Sequence, residues 1–200
     1  MRKLPLFLAV LLIPIFALAA CGGGGDDGAE DEIVETIETS ALSTDPADCG
    51  ELATLRFLEQ TNFREGKAAL RRCEADAKRA QKEPKDIKSV EVSNVEIDGS
   101  EANAEVAFEG GTFDGQVFSV AMVEEDGNWK MGEILGFAEF DQVKFAEAVE
   151  EQVENEAEGL EPEVLACIGE EFSSMSRGEL ERLVTAGREQ PLEEVIVGCI

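Results

Sequence analysis

The spacing of apolar and polar positions changes several times along the 200 residues, and each change marks a segment. Leu4 to Leu18 is an almost unbroken apolar run behind Arg2 and Lys3. From about Asp31 to Leu42, the residues Ile33, Val34, Ile37, Ala41 and Leu42 share one stripe of a 3.6-residue period, which predicts a helix. Asp45-Pro46 supplies a cap followed by proline at the first helical position. A second helix is therefore expected to run to about Gln60, with Cys49, Leu52, Ala53 and Phe57 on one face. A third, from about Glu65 to Ala80, repeats Ala69, Leu70, Cys73 and Ala77 at helical spacing.

After Pro84 the period falls to two. Val90 and Val92 alternate, then Val95 and Ile97 resume one residue out of phase, which predicts a bulge near Ser93-Asn94. Asp98-Gly99 is a hairpin signal. The next strand sends Ala102, Ala104, Val106 and Phe108 one way, with Asn103 and Glu105 the other, and ends at Gly110-Gly111. Gln116 to Val123 is apolar on both faces, as in a strand with neighbours on each side. Asp126-Gly127 then turns the chain into a last strand, Trp129 to Ile134. The expectation is an antiparallel meander of four strands following three helices, an α+β fold.

From about Glu139 the helical period returns. Phe140, Val143, Ala146, Val149 and Val153 form one stripe, and Pro162 opens a second helix with Val164, Leu165, Ile168 and Phe172 on one side. Ser176-Arg177-Gly178-Glu179 reads as a capping box for a third helix that stops at Gly187. Pro191 opens the last, with Leu192, Val195, Ile196 and Cys199. Residues 139–200 are read as a small helical C-terminal module.

The apolar run at the N-terminus is shorter than the roughly 20 residues that a spanning helix needs, and Pro5 and Pro14 interrupt it. A positive start, an apolar middle and a small-residue end make residues 1–20 a secretory signal peptide. Its end, Leu18-Ala19-Ala20-Cys21, resembles the bacterial lipobox. That resemblance implies cleavage before Cys21, a diacylglycerol on its thiol, and acylation of the new amine, with palmitate as an expected chain. Two chains suffice for stable anchoring, at about 0.8 kcal/mol per buried CH₂. The expected location is the extracytoplasmic face of the cell membrane. Residues 21–32 combine glycine with acidic residues and are read as the lipidated cysteine and a flexible tether.

The whole chain carries 44 acidic and 17 basic residues, a formal charge of −27, and removal of residues 1–20 with Arg2 and Lys3 makes it −29. Such a charge argues against nucleic acid, whose affinity comes mainly from Lys and Arg on phosphate, and against direct docking on an anionic membrane, which attracts polybasic segments. The acidic turn Glu124-Glu125-Asp126-Gly127-Asn128 lacks the ligand spacing of a calcium loop and reads as a hairpin tip. With Cys21 set aside, Cys49, Cys73, Cys167 and Cys199 remain, an even number suited to disulfides outside the cytosol. Three pairings are possible. The local one, Cys49 with Cys73 and Cys167 with Cys199, fits the division into segments, and each loop would contribute on the order of 3.5 kcal/mol in the chain-entropy model. Without histidine or a C-x-x-C pair, a zinc site is not expected, and no cofactor is implied.

Helices followed by an antiparallel sheet over Ile33 to Leu135 resemble the nuclear-transport-factor-like superfamily, whose bent sheet and helices form a cone. Phe57-Leu58-Glu59-Gln60 and the late Gly127-Asn128-Trp129-Lys130 hairpin look like what exported actinobacterial members carry. The resemblance implies three helices packed on a bent four-stranded sheet over residues 33–137. Its catalytic members, such as ketosteroid isomerases and scytalone dehydratase, rely on Tyr, His and Asp at the mouth of the cone, and this chain has neither tyrosine nor histidine. Asp98, Asp114 and Asp126 read as solvated turn residues, Ser173, Ser174 and Ser176 as helix-end residues, and Trp129 as core. The expected function is a non-catalytic binding module for a small apolar ligand or an envelope protein. The alternative is an isomerase- or lyase-like enzyme using a buried carboxylate inside the cone.

Overall fold

The computed structural model describes residues 26–82, 87–111, 113–156, 161–187 and 197–199. The expected signal peptide, Cys21 and the glycines that follow it lie outside the described residues, as does most of the helix expected after Pro191.

Four helices come first: α1 (Asp26–Leu42), the short α2 (Asp48–Glu51), α3 (Leu55–Asn62) and α4 (Lys67–Ala80). Strands β1 (Ile87–Asp98), β2 (Glu101–Gly110), β3 (Val117–Glu125) and β4 (Asn128–Glu139) follow, then α5 (Gln142–Glu156), α6 (Pro162–Ser174) and α7 (Arg177–Ala186). The fold is α+β, with one antiparallel sheet in the order β1-β2-β3-β4.

Two helical expectations are corrected. α1 begins at Asp26, so the acidic half of the stretch read as a tether is helical. Acidic residues suit this end, where the helix dipole is positive. The single helix expected from Asp45 to Gln60 is broken at Leu52-Ala53-Thr54. There the backbone pairs with β4 instead: the Thr54 amide donates to the Met131 carbonyl at 2.9 Å and the Met131 amide to the Leu52 carbonyl at 2.8 Å. Thr54 then restarts the helix as its N-cap, its side chain accepting from the Phe57 amide.

Among the strands, the phase slip in β1 is a register shift between Ser93 and Glu96, with Asn94 at φ +51°. Asp126 and Gly127 form the two-residue β3–β4 turn, both at positive φ, as a type I′ turn requires. The first hairpin sits one residue later than Asp98-Gly99 suggests: Asp98 pairs with Glu101 and the loop is Gly99-Ser100. β4 runs five residues beyond Ile134 and slips register against β3 three times. Such bulges bend a strand and increase its twist. At one of them, a Cβ on Gly132 would stand 2.9 Å from the Ala121 carbonyl oxygen, so the close approach of the two strands requires glycine.

One face of the sheet is buried. Ala104 and Val106 of β2, Phe118, Val120 and Met122 of β3, and Trp129, Met131 and Phe137 of β4 pack with Ile33 and Ile37 of α1 and Leu58 of α3. Each large side chain so buried contributes about 1.5–3 kcal/mol. The same core takes in Phe145, Ile168, Phe172, Leu180 and Val184 from α5, α6 and α7. The C-terminal helices thus share their core with the sheet, and β4 itself crosses the expected segment boundary at residues 137–139.

Candidate functional site

The structure joins Cys49 to Cys73 and Cys167 to Cys199, with S–S distances of 1.97 and 2.11 Å. The first links α2 to the inner face of α4; the second links α6 to the segment ending at Cys199. Cys21 lies outside the described residues.

A cavity on the buried side of the sheet is the place to seek an apolar ligand, and that space is filled by the chain itself. Seven phenylalanines form a continuous set of ring contacts. Phe118 meets Phe108, Phe113 and Phe137 with centroids 5.8, 5.0 and 4.6 Å apart. Phe137 meets Phe140 at 4.6 Å, and Phe145 of α5 reaches Phe113, Phe137, Phe140 and Phe172 within 6.3 Å. Edge-on and tilted contacts at these distances suit the ring quadrupole. Trp129 is buried in the core, as expected.

Two depressions among the described residues are shallow and open to solvent. One, of about 620 Å³, lies across the outer face of the sheet, with Ala121, Val123 and Gly132 in its floor and Glu96, Asp98, Glu101, Glu125 and Glu133 among its walls. Arg56 stands at one side, 3.5 Å from Glu133, and donates to the Thr185 carbonyl. The other, of about 480 Å³, runs along α6 between Ala166 and Ser174.

Every titratable acid or base among the described residues is exposed or half-buried, apart from the disulfide-bonded Cys49. Among the described residues the buried polar side chains are Thr36, Gln60 and Gln116, and none is a carboxylate. Asp98 and Asp126 are exposed at hairpin turns, and Asp114 accepts from the Gly110 amide in the β2–β3 turn. Ser173 and Ser174 donate to helix carbonyls of α6, and Ser176 is the N-cap of α7. Two hydrogen bonds from Ser176, one from its amide and one from its hydroxyl, hold the Glu179 carboxyl below the usual carboxylate range. No group of three or more His, Cys, Asp or Glu that could hold a metal ion occurs among the described residues.

The two buried glutamines carry no signal in the sequence. Gln116 donates to the Asp141 carbonyl at 3.1 Å and accepts from the Asp141 amide at 2.9 Å, tying β3 to the start of α5. Gln60 treats Ile134 of β4 in the same way. Both are structural clamps. No family model, curated protein sequence or solved structure matches the chain.

Proposed function

We propose that this chain is a lipid-anchored module on the extracytoplasmic face of a bacterial membrane, and that it acts by contact with an envelope protein, without catalysis. The anchor reading rests on Leu18-Ala19-Ala20-Cys21 behind the apolar run. The sheet with α1, α3 and α4 is read as a cone of the nuclear-transport-factor-like kind. The observation that carries the choice of partner is the interior packed with aromatic rings from β2, β3, β4, α5 and α6. A small apolar guest would have to displace those rings, whereas a protein needs only an outer surface. The carboxylate-based enzyme needs an acidic side chain in the interior, and the buried polar groups among the described residues supply none.

Two measurements test this. Labelling with radioactive palmitate in a bacterial host should mark the wild-type chain and not Cys21→Ser, and an unlabelled wild type sinks the anchor. Native mass spectrometry of the processed chain should give a bare mass, with crosslinks to an envelope protein in intact membranes. A small molecule that survives gentle ionisation and leaves on denaturation would overturn the protein-contact reading.

A further inference from the structure

The positive charge of this acidic chain is concentrated in one place. Nine of the 17 Lys and Arg residues lie between Arg64 and Lys88, and α4 carries most of them. The inner face of that helix is fixed by Ala69 and Ala77, both buried, and by Cys73, bonded to Cys49. On the opposite side, at about 100° per residue, Lys67, Arg71 and Lys78 fall within an arc of about 40°. Lys82 follows in the turn beyond the helix, and all four are exposed. The ridge is about 22 Å long at 1.5 Å per residue.

Of the acids of α4, Asp76 stands well off this line and Glu74 borders it, three residues after Arg71 and four before Lys78. Asp76 lies on one flank, bonded to Arg72 at 2.8 Å and Arg79 at 2.5 Å, and Glu74 is half-buried on the other. Among the described residues none of the four ridge cations makes an ion pair. The chain therefore offers a row of four cations without an ion pair, with the half-buried Glu74 as the one acid of α4 beside them, although its overall charge is strongly negative.

We propose that the α4 ridge docks on the anionic phospholipid headgroups of the membrane that carries the anchor. The setting rests on the lipid-anchored reading above; the ridge itself does not. Charge complementarity selects the partner. Beyond a screening length of about 8 Å at physiological ionic strength the acidic remainder of the chain hardly opposes contact. A broad, flat anionic surface meets the ridge with only the half-buried Glu74 beside it, whereas a polyanion that wraps the helix also meets Asp76. The Cys49–Cys73 link fixes the helix that carries the ridge. Each cation near such a surface raises partitioning about fivefold.

The test uses the chain processed at the expected site and carrying Cys21→Ser, so that no lipid contributes. It should sediment with phosphatidylcholine vesicles containing phosphatidylglycerol, release in high salt, and ignore pure phosphatidylcholine. Lys67→Glu/Arg71→Glu/Lys78→Glu should lower that binding at least tenfold. The charge-matched reversal of Lys130, Lys144 and Arg182 should leave it within twofold, and circular dichroism should show both variants folded. Neutral Gln at the three ridge positions, which perturbs the helix less, should give an intermediate loss. Equal binding to neutral vesicles, an equal loss in both reversals, or retention on immobilised heparin with no vesicle binding would each overturn the proposal. A failed palmitate label overturns the anchor alone, since vesicle binding of the unlipidated chain is read separately.

Discussion

The Gln60 side chain replaces a strand for Ile134: its Nε2 donates to the Ile134 carbonyl at 3.0 Å and its Oε1 accepts from the Ile134 amide at 2.7 Å. β4 is the last strand of the sheet, and an unpaired edge there would be open to another chain. Leu52 and Thr54 cover the edge at Met131, and Arg177 and Glu181 take the carbonyl and amide of Phe137. Gln60→Ala leaves the Ile134 groups unpaired in a site where Gln60 is 1 % exposed. The expected loss is about 2–4 kcal/mol in urea unfolding. A change below half a kcal/mol would mean water takes the place of the carboxamide.

Phe145 tests whether the sheet and the C-terminal helices unfold together. Its ring touches Phe113 and Phe137 on the sheet side and Phe172 on α6. Phe145→Ala should cost about 3–5 kcal/mol. Trp129 is the only tryptophan and sits in β4, so its fluorescence reports on the sheet. Fluorescence and helix-sensitive circular dichroism should move to lower temperature together. If the fluorescence midpoint stays fixed while the helical signal shifts, the shared core does not couple the two parts.

The crosslinks give a third expectation. Digestion without reduction should yield one peptide pair joined through Cys49 and Cys73 and another through Cys167 and Cys199. Cys49→Ser/Cys73→Ser should lower stability by about 3–4 kcal/mol, as should the Cys167→Ser/Cys199→Ser pair. Any mixed pairing in the native protein contradicts the arrangement.

Acid should loosen the start of α7 through Glu179. The folded carboxyl titrates below its ordinary value of 4.5 because the Ser176 hydroxyl and amide donate to its charged form. A depressed folded value stabilises the fold above the unfolded value, and the contribution fades as pH falls through the folded one. Glu179→Gln should therefore lower stability at neutral pH and remove part of the acid dependence below 4.5. A Glu179 carboxyl resonance titrating above the ordinary value would contradict the cap.

Much of the sheet could be read from the chain because its causes are local. The slip from Val92 to Val95 is the bulge at Asn94, and Asp126-Gly127 is a turn by its own backbone preference. The break before α3 was less evident, since the Leu52 and Ala53 stripe continues the helical period while their backbone is taken by Met131, far along the chain. Thr54 as an N-cap was the available signal. Gln60 and Gln116 could not be recognised, because nothing near them in sequence indicates that their partners are Ile134 and Asp141. The α4 ridge is written at Lys67, Arg71 and Lys78, yet a net charge summed over the whole chain conceals it.

Phe145 presses against the sheet from a helix that follows it in the chain, and Phe172 of the next helix, only 2 % exposed, backs Phe145. The interior is thus supplied with a resident guest, covalently attached and always at saturating local concentration. Any outside molecule seeking that space competes with part of the protein's own folding. Its apparent affinity would rise whenever α5 or α6 is weakened and fall whenever the Cys167–Cys199 link is intact, so occupancy of the interior would act as a gauge of how tightly the chain closes on itself.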